Sequence, residues 1–198
     1  MLQPHYASQG LREIYVGFDS PDATSYEKYM LKMLLIAQLL APAVLNKPLR
    51  SEKKIRSTTA NYIVLHYDEG GSYKSTRRAL IKKGSSYHYY IQRDGTIIKL
   101  IDPKYEAAHA GISYYKGKVR LNKYSIGICL QNDPPQTYTE KQYSSAAWLI
   151  NELQHRYKDS TTKVLLGHSD IAFPRGRKVD PGEHFNWEKL RININKWR

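Results

Sequence analysis

The sequence predicts an α/β fold: a single domain with a central mixed β-sheet flanked by helices. Three observations predict it. Short apolar runs of strand length alternate with stretches whose apolar residues recur at helical spacing. Asp94-Gly95 sits between two β-rich runs, a strong hairpin signal. The 198 residues, 41% of them hydrophobic and 25% charged, suffice for one full core but not comfortably for two.

Taken in order, "NYIVLHY" from Asn61 is a short apolar run ending in polar residues, as a buried strand would be. "STRRALIKK" predicts a short helix capped by Ser75, and "YHYYIQRDGTIIKLI" predicts the hairpin. "YSIGICLQ" is a further buried strand. Thr139 followed three residues later by Gln142 is a capping-box pattern opening a helix over 139–158. Its apolar face is Tyr143, Ala146, Ala147, Ile150, Leu153 and Tyr157. "KVLLGH" predicts a strand ending at His168, and Trp187, Leu190, Ile194 and Trp197 mark a last amphipathic helix.

The domain is expected over 59–198, with 1–58 a leader and linker. Within the leader, "MLKMLLIAQLLAPAVL" (Met30–Leu45) is too short and too interrupted to be a membrane span. It has the parts of a secretion signal: Met30-Leu31-Lys32 as basic start, Met33 to Leu40 as apolar stretch, Ala41-Pro42-Ala43 as cleavage site. A plain amphipathic helix capped near Thr24 or Ser25 is the other reading. The signal reading implies transient membrane contact through this segment and a periplasmic or secreted protein of the cell envelope; a cytoplasmic location is the alternative.

The net charge is +13. A basic body suits nucleic acid, anionic lipid or an acidic cell wall, and charge alone does not choose. Nucleic-acid binding would call for cations and stacking aromatics clustered on one face, whereas the 17 Tyr are spread along the chain, so no nucleic acid is expected as partner. The single Cys129 excludes an intrachain disulfide and a C-x-x-C zinc site, leaving His and carboxylate as metal ligands.

Two predicted strands end in His, at His66 and His168, and Asp180 follows His168 by twelve residues, anchored by Pro181-Gly182. Each His alone suits an ordinary structural role. Together the three form a candidate metal set, because catalytic zinc commonly takes three protein ligands and leaves a fourth position open.

"IVLHY", "YHYYIQRDGTIIKLI", "AAHAG", "NKYSIGICLQN" and "GHSDIA…GRKVDPG" occur in the order seen in zinc-dependent N-acetylmuramoyl-L-alanine amidases of the type 2 family. The chain resembles that family, which includes amidase-type phage lysozymes and is related to peptidoglycan-recognition proteins, over about 59–190. The resemblance implies a hydrolase of peptidoglycan or muropeptides that cuts the amide between N-acetylmuramic acid and L-alanine, and a monomer is expected. It places His66, His168 and Asp180 on zinc-ligand positions and Lys178 on a catalytic lysine. His109, Asn122 and Arg177 fall on positions that line the groove or contact substrate. A binding module without catalysis, of the recognition-protein type, is the alternative.

Two departures matter. Many members carry Glu after "SIGI", where this chain has Cys129, read here as a small apolar filler. Phage-type members that carry Cys lean on a Tyr at the position of Tyr87, which otherwise reads as an ordinary strand residue. The loop "FPRG" before Arg177 is longer than the usual form and brings in Arg175.

Overall fold

The structure is a computed structural model and describes residues 25–49, 55–69, 71–157 and 164–197. The chain divides into two compact units, Met1–Ala41 and Pro42–Arg198. The described part of the first is helix α1 (Ser25–Leu40). Among the described residues no helix is long and apolar enough to cross a membrane. Residues 1–24 of the expected leader lie outside the described residues.

The second unit is an α/β domain with a mixed central sheet flanked by helices, as predicted. Its strands are β1 (Val44–Asn46), β2 (Tyr62–Tyr67), β3 (Tyr89–Ile91), β4 (Ile97–Lys99), β7 (Ser125–Leu130) and β8 (Val164–Gly167). They lie in the order β1-β4-β3-β7-β2-β8. Only the β3–β4 hairpin is antiparallel. β5 (Tyr114–Tyr115) and β6 (Lys118–Val119) form a separate small hairpin.

Side chains alternate across a strand, and that alternation divides the labour of the two faces. Ile63, Leu65, Ile126, Ile128 and Leu130 enter one core with Tyr143, Ala146, Ala147 and Ile150 of helix α3 (Glu140–Arg156) and Leu190 and Ile194 of α5 (Trp187–Lys196). The intervening residues belong to the opposite face. There Tyr62 and Val64 pack with Leu121 and Leu166, and Tyr90 and Cys129 pack with Leu80 of helix α2 (Tyr73–Lys83). His66 falls in the second series, on the face without α3.

The predicted caps are present, with one shift. Thr139 and Gln142 exchange the capping-box bonds of α3. In α2 the cap is Ser72, and Ser75 is its partner one turn on rather than the cap itself. Residues 46–58, expected as linker, contribute the end of edge strand β1, the buried Leu49 and the part-buried guanidinium of Arg56.

Candidate active site

The register of the sheet brings the two histidines together. β2 and β8 are adjacent and parallel, and Leu65 pairs with Gly167. The next residue on each strand is a histidine, His66 at the penultimate position of β2 and His168 opening the short helix α4 (His168–Ile171). Asp180 arrives from the loop that follows. Ser169 N donates to Asp180 O (3.0 Å), Gly182 N to Val179 O (2.8 Å) and the Tyr138 hydroxyl to Pro181 O (2.8 Å). Gly167 permits the close approach: a Cβ there would lie 2.8 Å from Pro181 Cδ.

Three buried atoms then converge. His66 Nδ1 lies 2.9 Å from Asp180 Oδ2 and 3.2 Å from His168 Nδ1, and His168 Nδ1 lies 3.1 Å from Asp180 Oδ2. Tetrahedral zinc with bonds of about 2.0–2.2 Å separates its ligand atoms by about 3.3–3.6 Å. The observed triangle is slightly tighter, and the donor set of two imidazoles and a carboxylate is of the zinc type. His168 Nε2 lies 3.1 Å from the carbonyl of Ala110, a pure acceptor, so that nitrogen carries the proton and Nδ1 is left bare. The residues present fit a divalent ion. This is the one such His/Cys/Asp/Glu group among the described residues.

The electrostatics agree with that reading. Burial lowers the pKa of His66, partly countered by Asp180, and His168 and Lys178 lower it further. Burial opposes the charge on Asp180, but the facing imidazoles of His168 and His66 more than offset it and hold the carboxyl below its usual range.

The triangle opens on a cleft of about 630 Å³ lined by Tyr67, Asp68, Tyr87, His109, Lys178 and Asp180, among others. The Tyr87 ring lies 5.1 Å from that of His66. Burial, with Cys129 and Asp180 nearby, pushes the Tyr87 hydroxyl well above its usual pKa, so it stays protonated and can donate a hydrogen bond. Lys178 is exposed within the cleft wall. Cys129 pairs with His66 in the β2–β7 register but is fully buried, and burial raises its thiol pKa well above normal.

Of the three residues expected to line the groove or touch substrate, His109 and Arg177 line the cleft, and the side chains of Asn122 and Arg177 hold the backbone beside it. Asn122 Oδ1 accepts from the amides of His109 (3.0 Å) and Ala110 (2.8 Å). Arg177 donates to the carbonyls of Phe173, Ile112 and Ala110. His109 is 7% exposed, with its Nδ1 3.0 Å from His66 Nε2.

Sequence reasoning missed Asp68, whose carboxylate accepts from Thr76, from Tyr90 (2.7 Å) and from the amide of Asn132 (3.0 Å), fastening the end of β2 to α2, β3 and the end of β7. Its place two residues after His66 was the available signal.

The family model for N-acetylmuramoyl-L-alanine amidase matches residues 56–183. The 1,6-anhydro-N-acetylmuramyl-L-alanine amidase AmpD of Escherichia coli K12 is 40% identical over 111 residues, 56% of this chain and 59% of the relative. The chain therefore spans about three fifths of that relative's length. A crystal structure of a selenomethionine AmpD derivative superposes with a TM-score of 0.65 at 27% identity, covering 76% of this chain and 94% of that one. The amidase AmiD from E. coli, in complex with anhydro-N-acetylmuramic acid-L-Ala-D-γ-Glu-L-Lys, superposes with a TM-score of 0.61 at 28% identity, covering 72% and 61%.

These likenesses correct the expected location. The AmpD relatives are cytoplasmic enzymes, which conflicts with the periplasmic or secreted expectation; the cytoplasmic alternative fits them better. The Met30–Ala43 pattern does not by itself decide location. A short apolar run after a lysine serves an export signal and an ordinary helix equally well, and here it lies largely within α1.

Proposed function

Since the chain belongs to the N-acetylmuramoyl-L-alanine amidase family, we propose that it is a zinc-dependent amidase of muropeptides. The bond cut joins the lactyl group of N-acetylmuramic acid to L-alanine. The observation that carries this reading is the triangle of His66 Nδ1, His168 Nδ1 and Asp180 Oδ2, of which His168 and Asp180 line an open cleft. Zinc held there supplies Lewis acidity, polarising the scissile carbonyl and acidifying the attacking water.

The chain's own residues do the rest. Lys178, on the cleft wall two residues before Asp180, presents a fixed positive charge where the carbonyl oxygen becomes anionic. Tyr87, held protonated against His66, donates a hydrogen bond to the same oxygen or orients the water. With Cys129 neutral and buried, no carboxylate stands at the position where many members have Glu, and proton transfer falls to weaker groups.

The relatives are named for 1,6-anhydro-N-acetylmuramyl-L-alanine, and the AmiD structure holds an anhydro-muramyl peptide. We take small 1,6-anhydro muropeptides, rather than intact wall, as the substrate. The test is mass spectrometry of anhydro-muropeptides incubated with zinc-loaded protein. Released stem peptide with an L-alanine amino terminus is expected. A folded, zinc-loaded protein that binds these fragments and releases nothing would favour the second reading, a binding module, for which Cys129 in place of Glu is the specific observation.

A further inference from the structure

We propose that His109 is a positioning residue: with Ser125 it fixes His66 as the Nε2–H tautomer and so presents a bare Nδ1 to the metal. The proposal rests on the metal-site reading above but not on the amidase reaction.

The proton positions follow from outside inward. The Ser125 hydroxyl has one hydrogen and lies 2.6 Å from the carbonyl of Leu121, which can only accept. That hydrogen is therefore committed, and Ser125 Oγ must accept from His109 Nε2 at 3.2 Å. His109 is buried without a carboxylate partner, so it is neutral and carries a single N–H. Its Nδ1 is then a lone pair, 3.0 Å from His66 Nε2, and His66 must donate to it. His66, 1% exposed, likewise keeps one proton, now on Nε2.

The surroundings hold His109 in this role. Its ring lies against the backbone of β7 at Gly127, where an added Cβ would sit 2.5 Å from His109 Cγ. Asn122 Oδ1 accepts from the His109 amide at 3.0 Å. The ring meets that of His66 edge-on at 5.1 Å and 84°. Without this relay the competing tautomer is well served: a proton on His66 Nδ1 would donate to Asp180 Oδ2 at 2.9 Å and block the metal. The relay thus acts against a trap built into the triangle itself.

The experiment uses the full chain, ¹⁵N-labelled at histidine and stripped of metal. Long-range ¹⁵N–¹H spectra report the tautomer of each ring, and chelator competition reports zinc affinity. In the wild-type chain His66 is expected as Nε2–H; an Nδ1–H form would overturn the proposal. His109→Leu should switch His66 to Nδ1–H and weaken zinc binding about 10–100-fold, the usual effect of losing an outer-shell partner. His109→Asn, whose amide oxygen can accept near the place of Nδ1, should recover most of that loss. A folded His109→Leu with unchanged tautomer and affinity would overturn the role. If His109→Leu does not fold, Ser125→Ala decides: a mixture of His66 tautomers with weaker zinc binding supports the relay, and a wild-type result overturns it. Tautomer and affinity are read without substrate. A chain that passes these tests yet releases no peptide would sink the amidase reading alone.

Discussion

Leu65 pairs with Gly167 across adjacent parallel strands, so His66 and His168 leave the sheet side by side. Two of the three converging atoms are thereby set by backbone register, and Asp180, the third proposed ligand, is supplied by a loop. Asp180→Asn keeps the shape and removes the charge. We expect the folded variant to lose most bound zinc, measured by elemental analysis after dialysis, together with its amidase turnover. Full zinc occupancy in this variant would mean that the carboxylate is not a ligand.

The role proposed for Lys178 would separate metal binding from catalysis. It lines the cleft and is not among the three converging groups. Lys178→Ala should therefore keep its zinc and lose about 10²-fold or more in kcat, as on removal of one oxyanion stabiliser. Tyr87→Phe should also fall substantially. Cys129→Ala should change turnover little, because its thiol is buried and neutral. A folded, zinc-loaded and inactive Cys129→Ala would show that the thiol takes part directly.

The strands and helices were legible where burial imposes a period. β2 and β7 alternate between two filled faces, and α3 announces itself by its capping box and apolar stripe. β1 was not legible because its three residues are exposed and gain their strand form only from pairing with β4. The converging set was readable as strand ends plus a turn. His109 was placed only on the groove, because its position behind His66 depends on the missing side chain of Gly127, a contact between distant segments. Arg56 left no signal at all, since five of its partners are carbonyls that any residue could supply.

That arginine yields a stability prediction. Its guanidinium donates to the carbonyls of Pro103 (3.1 Å), Tyr105 (3.1 Å), Asn122 (3.2 Å), Lys123 (2.7 Å) and Ser125 (3.0 Å). It ties the long connection after β4 to the start of β7. A lysine offers fewer donors from a single point and leaves buried carbonyls unpaired. Arg56→Lys should lower unfolding stability by about 2–4 kcal/mol, taking about 1–3 kcal/mol for each group left unsatisfied. Urea denaturation checks this, and a loss under about 0.5 kcal/mol, the range of an ordinary surface change, would contradict it.

His88 makes stability depend on pH. Its ring is fully buried, Nδ1 accepts from the amide of Gly127 (2.9 Å), and Nε2 faces the carbonyl of Tyr105 (3.1 Å). Burial, and next the Arg56 guanidinium, push its pKa down to about 3. Protonating Nδ1 would turn a proton against the amide it accepts from. Above the unfolded value of about 6.5 both states are neutral and full stability is present. As pH falls from there toward 3 the unfolded chain alone takes up the proton, and stability falls by up to about 1.4 kcal/mol per pH unit. The pKa values of His66 and His109 are also lowered and add to the slope. In metal-free protein, urea midpoints at pH 7, 6 and 5 should drop progressively, and His88→Asn should show a shallower decline from a lower start. A slope identical to wild type would exclude His88 as a contributor.

Arg177 distinguishes a substrate contact from a brace. The resemblance puts it where relatives meet glycan or peptide, whereas its guanidinium here donates to Phe173 O (3.0 Å), Ile112 O (2.7 Å) and Ala110 O (3.4 Å). It thus joins the loop carrying Lys178 to the segment whose Ala110 carbonyl receives His168 Nε2. A brace and a binding group fail differently. Loss of a substrate contact made equally in ground and transition states raises KM with kcat unchanged, whereas misplacing Lys178 lowers kcat. Arg177→Ala should therefore lower kcat about tenfold or more, with KM changed less, because small displacements of a positioned group are costly. It should also reduce stability by about 1–3 kcal/mol, since charged hydrogen bonds are lost in a partly exposed setting. Steady-state kinetics on one defined anhydro-muropeptide, with a urea melt of the same preparation, reads both. A variant with wild-type kcat, wild-type stability and a raised KM would return Arg177 to the role of a direct substrate ligand.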